Sequence, residues 1–201
     1  MPVNYTVQAE VVDIRSDAPK NDDIFLVDTN AWYWYTYTTA SILSSSYQSK
    51  EYPSYIAKAI SAHSWLSYCG LSLAELAHNI EQTEREIFSP TLKAKEYRHN
   101  YPTERAKVVA EVQAAWSQVI SSAVCTDVLV SEETSNAALT RFQTQLLDGY
   151  DLLILEAMDK AGVTQIITDD GDYMTVPGIK VFTANRGAIA TARTQGKLLV
   201  R

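Results

Sequence analysis

Ile24-Phe25-Leu26-Val27-Asp28-Thr29-Asn30 is the stretch that decides the fold. Four apolar residues with β-branched ends, stopped by an acid, suit a short strand buried on both faces. The pattern recurs at Gln165-Ile166-Ile167-Thr168, which runs into Asp169-Asp170-Gly171-Asp172-Tyr173. Two more runs read as strands, residues 124–130 and Ile179-Lys180-Val181-Phe182, the latter behind the turn Val176-Pro177-Gly178. Between them the apolar spacing is helical. Tyr55, Ile56, Ala59, Ile60 and His63 share one face within residues 54–66, and Leu73, Leu76, Ala77, Ile80 and Ile87 share another. Ser72 and Glu75 have the spacing of a capping box. A third helix spans residues 103–121; a fourth opens at Ser131, runs to about Leu147 and ends at Gly149. Asp151 caps a fifth, closed by Gly162. Strands alternating with helices predict an α/β fold of three layers, a mostly parallel central sheet flanked by helices.

Outside these elements, residues 1–23 are polar and mixed in charge. The alternation Val7, Ala9, Val11 could pair as a short strand, but the segment reads mainly as an N-terminal arm, leaving 24–201 as one domain. Residues 84–122 read as a helical excursion within that domain, and the Ser-rich residues 41–50 as a loop.

Composition narrows the function. The chain has 201 residues, 46% hydrophobic and 20% charged, which is globular rather than disordered. No apolar run approaches the roughly 18 residues that cross a bilayer. The charges among the first 23 residues leave no secretory signal, so a cytoplasmic protein is expected. Cys69 and Cys125 have neither zinc-type spacing nor a disulfide framework. His63, His78 and His99 show no ligand spacing; no Gly-rich phosphate loop and no Ser–His–Asp set can be argued. The net charge of −7 argues against holding nucleic acid by charge alone. That objection loses force if acids converge on one site and bind metal there.

The acids fall where such convergence is expected. Asp28 follows one buried strand, and Asp170 and Asp172 follow another; in a parallel α/β sheet ligands sit beyond the carboxyl ends of the strands. Glu75 and Asp151 lie in first helical turns. Carboxylates about 4 Å apart repel by several kcal/mol per pair at intermediate dielectric. Divalent cations remove that cost, and an oxygen-only donor set favours Mg²⁺ or Mn²⁺. Two such ions about 4 Å apart are an established arrangement for phosphodiester cleavage.

Val27-Asp28-Thr29-Asn30, Leu71-Ser72-Leu73-Ala74-Glu75-Leu76, Tyr150-Asp151-Leu152-Leu153-Ile154-Leu155-Glu156-Ala157 and Ile167-Thr168-Asp169-Asp170-Gly171-Asp172-Tyr173 together resemble the four acidic motifs of the PIN-domain ribonucleases, most closely the VapC-like toxins of bacterial toxin–antitoxin pairs. The resemblance covers about residues 24–183. It implies a PIN-like fold and Mg²⁺- or Mn²⁺-dependent endoribonuclease activity that leaves a 3′-hydroxyl and a 5′-phosphate. It also implies a homodimer and a small inhibitory antitoxin. By that resemblance Asp28, Glu75, Asp151, Asp170 and Asp172 are the catalytic, metal-holding acids, with Thr29, Asn30, Ser72 and Thr168 orienting them. Of the adjacent pair Asp169 and Asp170, the Thr-x-Asp-x-Asp-aromatic spacing favours Asp170.

Two other functions compete. A Mg²⁺-dependent phosphatase using Asp28 as an aspartyl nucleophile would want a second acid two positions on, and Asn30 stands there. A catalytically silent binding module would keep the fold without the metal. Two features stay open in the sequence. The aromatic cluster from Trp32 to Tyr37 reads as core and subunit interface ahead of a base-stacking surface. The basic stretch from Lys93 to Lys107 reads either as solvated helix surface or as a phosphate-holding patch.

Overall fold

The computed structural model describes residues 4–43 and 46–201, without the side chains of 41–43. The described strands are β1 (Glu10–Asp13), β2 (Ile24–Val27), β3 (Trp65–Cys69), β4 (Val124–Thr126), β5 (Gln165–Ile167), β6 (Lys180–Thr183) and β7 (Leu198–Leu199). They form one sheet in the order β4-β3-β2-β5-β6-β1-β7, and every described pairing is parallel. The helices are α1 (Thr29–Thr36), α2 (Thr38–Leu43), α3 (Gln48–Ser61), α4 (Ser72–Phe88), α5 (Ala94–Asn100), α6 (Pro102–Ser122), α7 (Glu132–Phe142), α8 (Gly149–Ala161) and α9 (Arg186–Thr194). None is long and apolar enough to cross a membrane among the described residues.

Alternate side chains of each strand enter opposite cores, as a pleated strand covered on both faces requires. Val11, Leu26, Ile166 and Val181 meet α7, α8 and α9 on one side. Val12, Phe25, Val27, Ile167 and Phe182 meet α1, α3, α4 and α6 on the other. The three-layer α/β expectation therefore holds. Helix α8 shows why the sequence folds this way locally: Leu152, Ile154, Leu155 and Met158 are buried, and Gly162 ends the helix at φ +66°, a conformation costly for any residue with a Cβ.

The topology creates the crevice. From β2 the chain moves outward through β3 to β4, then returns to β5 on the other side of β2. Strand order thus reverses between β2 and β5, and loops leaving their carboxyl ends diverge there.

Several expectations are corrected. The N-terminal segment is not an arm beyond residue 6: β1 sits between β6 and β7, with Val7, Ala9, Val11, Val12 and Ile14 buried. The alternation that hinted at a strand was outweighed by surrounding charges. The helix expected over residues 54–66 ends at Ser61; His63 adopts φ +57°, and Trp65 begins β3, a strand the sequence reading missed. Residues 41–50 are not simply a loop: Leu43 ends α2 and Gln48 opens α3, while 44 and 45 lie outside the described residues. The run 124–130 is a strand only to Thr126. Helix α7 ends at Phe142 rather than near Leu147, and Gly149 opens the next helix instead of ending the last.

One ion cluster ties distant segments beneath the sheet. Arg201 pairs with Asp17 at 2.6 Å and Asp23 at 2.5 Å, all three side chains under 10% exposed, and its guanidinium lies over the Phe182 ring. Removing one partner of a buried ion pair costs about 3–5 kcal/mol. Arg201→Gln is therefore expected to lower the unfolding free energy from urea titration by that margin without changing the far-UV spectrum. Burial alone would raise the Asp23 carboxyl, but hydrogen bonds from Arg201 and the Lys20 N–H hold it below the usual range. A depressed acid stabilises the fold above its unfolded value and loses that contribution as pH falls through the folded one. Acid titration of the wild type should accordingly show a loss below about pH 4 that Arg201→Gln lacks.

Candidate active site

Asp28 emerges from β2 as the N-cap of α1 and is 2% exposed. Its Oδ1 accepts from the Thr29 backbone N–H at 2.7 Å. Its Oδ2 accepts from the Thr168 hydroxyl at 2.6 Å and from the Asn30 amide. Thr168 stands just past β5, so that hydroxyl stitches the two strand ends across the crevice. The same Thr168 oxygen accepts from Asn30 Nδ2 at 3.0 Å and from the Asp170 N–H at 2.9 Å. Asn30 Oδ1 in turn accepts from the Asp169 N–H at 2.9 Å. Thr168 and Asn30 therefore hold Asp28 and set the path of the Asp169–Asp170 loop together.

That path separates the adjacent acids. Asp169 turns toward α3, where Tyr47, Gln48 and Tyr52 donate to it at 2.7–3.1 Å. Asp170 turns toward the crevice, and its Oδ1 accepts from the Asp172 N–H at 2.8 Å. The carboxylate that the motif spacing favours is the one brought near Asp28.

Asp151 comes from the first turn of α8, 8% exposed, and accepts from the buried Tyr173 hydroxyl at 2.9 Å. It does not cap the helix. Asp148 does so, accepting from the N–H groups of Tyr150 and Asp151, which frees the Asp151 carboxylate. Glu75 is likewise free. Ser72 is the first helical residue of α4, Leu71 occupies the cap position without a side-chain hydrogen bond, and the expected capping box does not form. Thr29 Oγ1 is buried with no partner in hydrogen-bond geometry among the described residues, yet it lies close enough to Glu75 to favour that carboxylate's charged form.

These carboxylates act on one another electrostatically. Burial pushes Asp28 up to about 7; the Thr168 hydrogen bond opposes this, and repulsion from Glu75 and Asp170 adds to it. Burial likewise pushes Asp151 up to about 8, with Asp28, Asp148 and Asp170 repelling it. Glu75 and Asp170 are raised by burial and by Asp148 among other acids. Asp172 is raised by burial and by Asp148, while a hydrogen bond with Tyr5 opposes the shift.

Three residues escaped the sequence reading. Asp148 acts on Glu75, Asp151, Asp170 and Asp172; Asp148-Gly149-Tyr150-Asp151 holds two acids able to cap, and the first of them does. Tyr173 was quoted only as the aromatic end of a motif. Tyr5 reaches the site from the N-terminal segment: its ring lies over Gly171, where a Cβ would stand 2.9 Å from ring atoms and would push the ring aside.

The donor set fits a hard divalent cation: carboxylate oxygens only, mutually repelling, with Asp28 and Asp151 raised close to neutrality. Among the described residues no three His, Cys, Asp or Glu side chains already stand as a ligand set. The acids are neighbours in one crevice rather than a closed cage.

No family model matches the chain, and no curated protein matches it. Among solved structures it is similar to one described as the crystal structure of VapBC2 from Rickettsia felis bound to a DNA fragment from their promoter. That chain is 14% identical, with 80% of this chain and 98% of that chain covered and a TM-score of 0.47. This degree of likeness assigns nothing to the crevice, whose chemistry follows from its own residues.

Acids raised in the folded state cost stability as pH rises, because the folded form binds protons that the unfolded form has released. For Asp28 and Asp151 the penalty grows from about pH 4 and is complete above about pH 8. In chelator, the melting temperature should fall by at least about 3 °C between pH 6 and pH 8.5, at roughly 2–4 °C per kcal/mol for a chain of this size. Millimolar Mg²⁺ or Mn²⁺ should recover most of the loss at pH 8.5, and Asp28→Asn should flatten the profile.

Proposed function

We propose that the protein is a Mg²⁺- or Mn²⁺-dependent endoribonuclease of the PIN-domain kind. One feature supports the reading: Asp28, Glu75, Asp151 and Asp170, delivered by four separate segments beside the point where strand order reverses, are linked by mutual repulsion. Such mutual repulsion is a standing cost, and it becomes useful when the site must gather cations around a phosphate.

Asp28, Glu75, Asp151 and Asp170 would hold the cation, with Asp172 and Asp148 at the rim. A bound cation supplies neutralising charge and Lewis acidity toward a phosphate oxygen. The remaining work belongs to the chain. Thr168 and Asn30 fix the Asp28 carboxylate in one orientation, and Tyr173 does the same for Asp151. Asp148 satisfies the α8 amides, so Asp151 need not. RNA is the proposed substrate. A small inhibitory protein that inserts a basic side chain among the acids, and a homodimer, belong to the same proposal.

The phosphatase alternative would want an acid two positions after Asp28 for acid–base work. That position is Asn30, whose amide is bound to Asp28 and Thr168 instead. This geometry disfavours a nucleophilic Asp28.

Cleavage of a mixed single-stranded RNA in Mg²⁺ or Mn²⁺ should vanish in chelator and fall at least about 100-fold in Asp28→Asn and Asp170→Asn, with folded spectra unchanged. Asp169→Asn should instead lower thermal stability while retaining most of the rate, since Asp169 anchors α3. Cleavage that survives in both Asp28→Asn and Asp170→Asn rules the reading out. Tyr173→Phe should reduce the rate about 10- to 100-fold through a higher metal requirement.

A further inference from the structure

The basic stretch of the sequence folds into a defined cleft beside the acids. Helices α4, α5 and α6 border about 330 Å³, with Ala74, Ala77 and the α6 valines Val108, Val109 and Val112 as its apolar lining and His78, Glu81, Arg98, Arg105 and Gln113 as its polar lining. Glu81 is 9% exposed at its side chain, whereas Arg98 and Arg105 are 42% and 43% exposed. Arg98 grips Glu81 through Nε at 3.0 Å and through Nη2, and Arg105 adds Nη1 at 2.7 Å.

Two guanidiniums on one carboxylate leave a surplus positive charge in a half-covered cleft. One arginine would suffice to neutralise Glu81 and tie α5 to α4. The second has no structural debt to discharge, since Glu104, the nearby acid on α6, is already occupied by Lys107 at 2.8 Å. An arginine carries five N–H donors. Among the described residues Arg98 commits two and Arg105 one, both to Glu81, so their remaining donors are available to an anion. Glu81 also fixes the planes of both forks, which lowers the ordering cost of binding a phosphate. The charge is local and of unusual sign, in a chain whose net charge is −7.

The cleft and the acidic site share helix α4. His78, which lines the cleft, lies three residues, about 4.5 Å of helix rise, beyond Glu75. Glu81 lies a further three residues on.

We propose that Arg98 and Arg105, organised by Glu81, hold a backbone phosphate of the same single RNA strand whose neighbouring linkage lies at the acids. This inference rests on the ribonuclease reading and deepens it: the substrate is a strand that passes along α4, gripped by its backbone and not by its sequence. It gives an otherwise acidic protein its own electrostatic hold on RNA.

The test uses the full chain with a fluorescein-labelled single-stranded RNA decamer of mixed sequence, Ca²⁺ replacing Mg²⁺ to slow turnover. Arg105→Gln should weaken binding about tenfold and reduce the slope of log K against log salt by about 0.7, the value for one single-strand phosphate contact. Lys107→Gln, which removes a similar charge from α6 outside the cleft, should change affinity less than about twofold. On the wild type, RNA should protect Arg98 and Arg105 from phenylglyoxal, read by mass spectrometry, and leave the exposed Arg193 reactive; this arm decides alone if Arg105→Gln does not fold. Equal effects of the two variants, or no protection, overturn the phosphate anchor while RNA cleavage by the wild type keeps the ribonuclease reading intact. Equal protection by polyglutamate overturns it in favour of an acidic protein partner. A wild type that neither binds nor cleaves RNA removes both.

Discussion

Negative charge held where solvent cannot screen it is the constraint around which the rest of the molecule is arranged. Asp28 is buried between two strand ends, and nothing cationic in the described structure faces it. It is tolerated because a backbone N–H, an amide and a hydroxyl all donate to it. Those donors belong to α1 and to the loop after β5. Holding the carboxylate therefore fixes the helix, the loop and the spacing of β2 and β5 at once. Glu75 and Asp151 are then kept free of helix capping by neighbours that take no part in the crevice or stand at its edge. Carboxylates left uncommitted in this way are expensive for a merely structural site and economical for one that collects cations.

Much of this was legible in the sequence, for identifiable reasons. Strands β2, β5 and β6 are short runs of apolar residues facing two cores, and no helix is so brief and uniform. An acid placed at the end of such a strand has few places to go but the carboxyl edge of the sheet, so Asp28 and Asp170 could be placed together before any coordinates. The choice of Asp170 over Asp169 followed from spacing and agrees with the way Thr168 and Asn30 direct the loop.

The misses have equally physical causes. Strand β3, Trp65-Leu66-Ser67-Tyr68-Cys69, mixes polar and apolar residues, and the helical pattern before it masks the break at His63, whose positive φ no pattern announces. Strand β1 is legible only as weak alternation amid charges; long-range pairing with β6 and β7 supplies its burial. Caps are a local competition that sequence alone leaves undecided. Ser72 and Asp151 were each credited with a capping role that Leu71 and Asp148 occupy, and both displacements leave a site acid unencumbered.

The position of β1 carries a consequence for biogenesis. Glu10 pairs with Lys180, and Val11 with Leu198, so β1 must wait for strands far along the chain to be made. Asp17 and Asp23 meet their counter-charge only when residue 201 has been made. Contacts this distant along the polymer slow folding and prolong exposure of unpaired edges. A chain interrupted before β7 would thus carry the acids without the closed sheet that supports them.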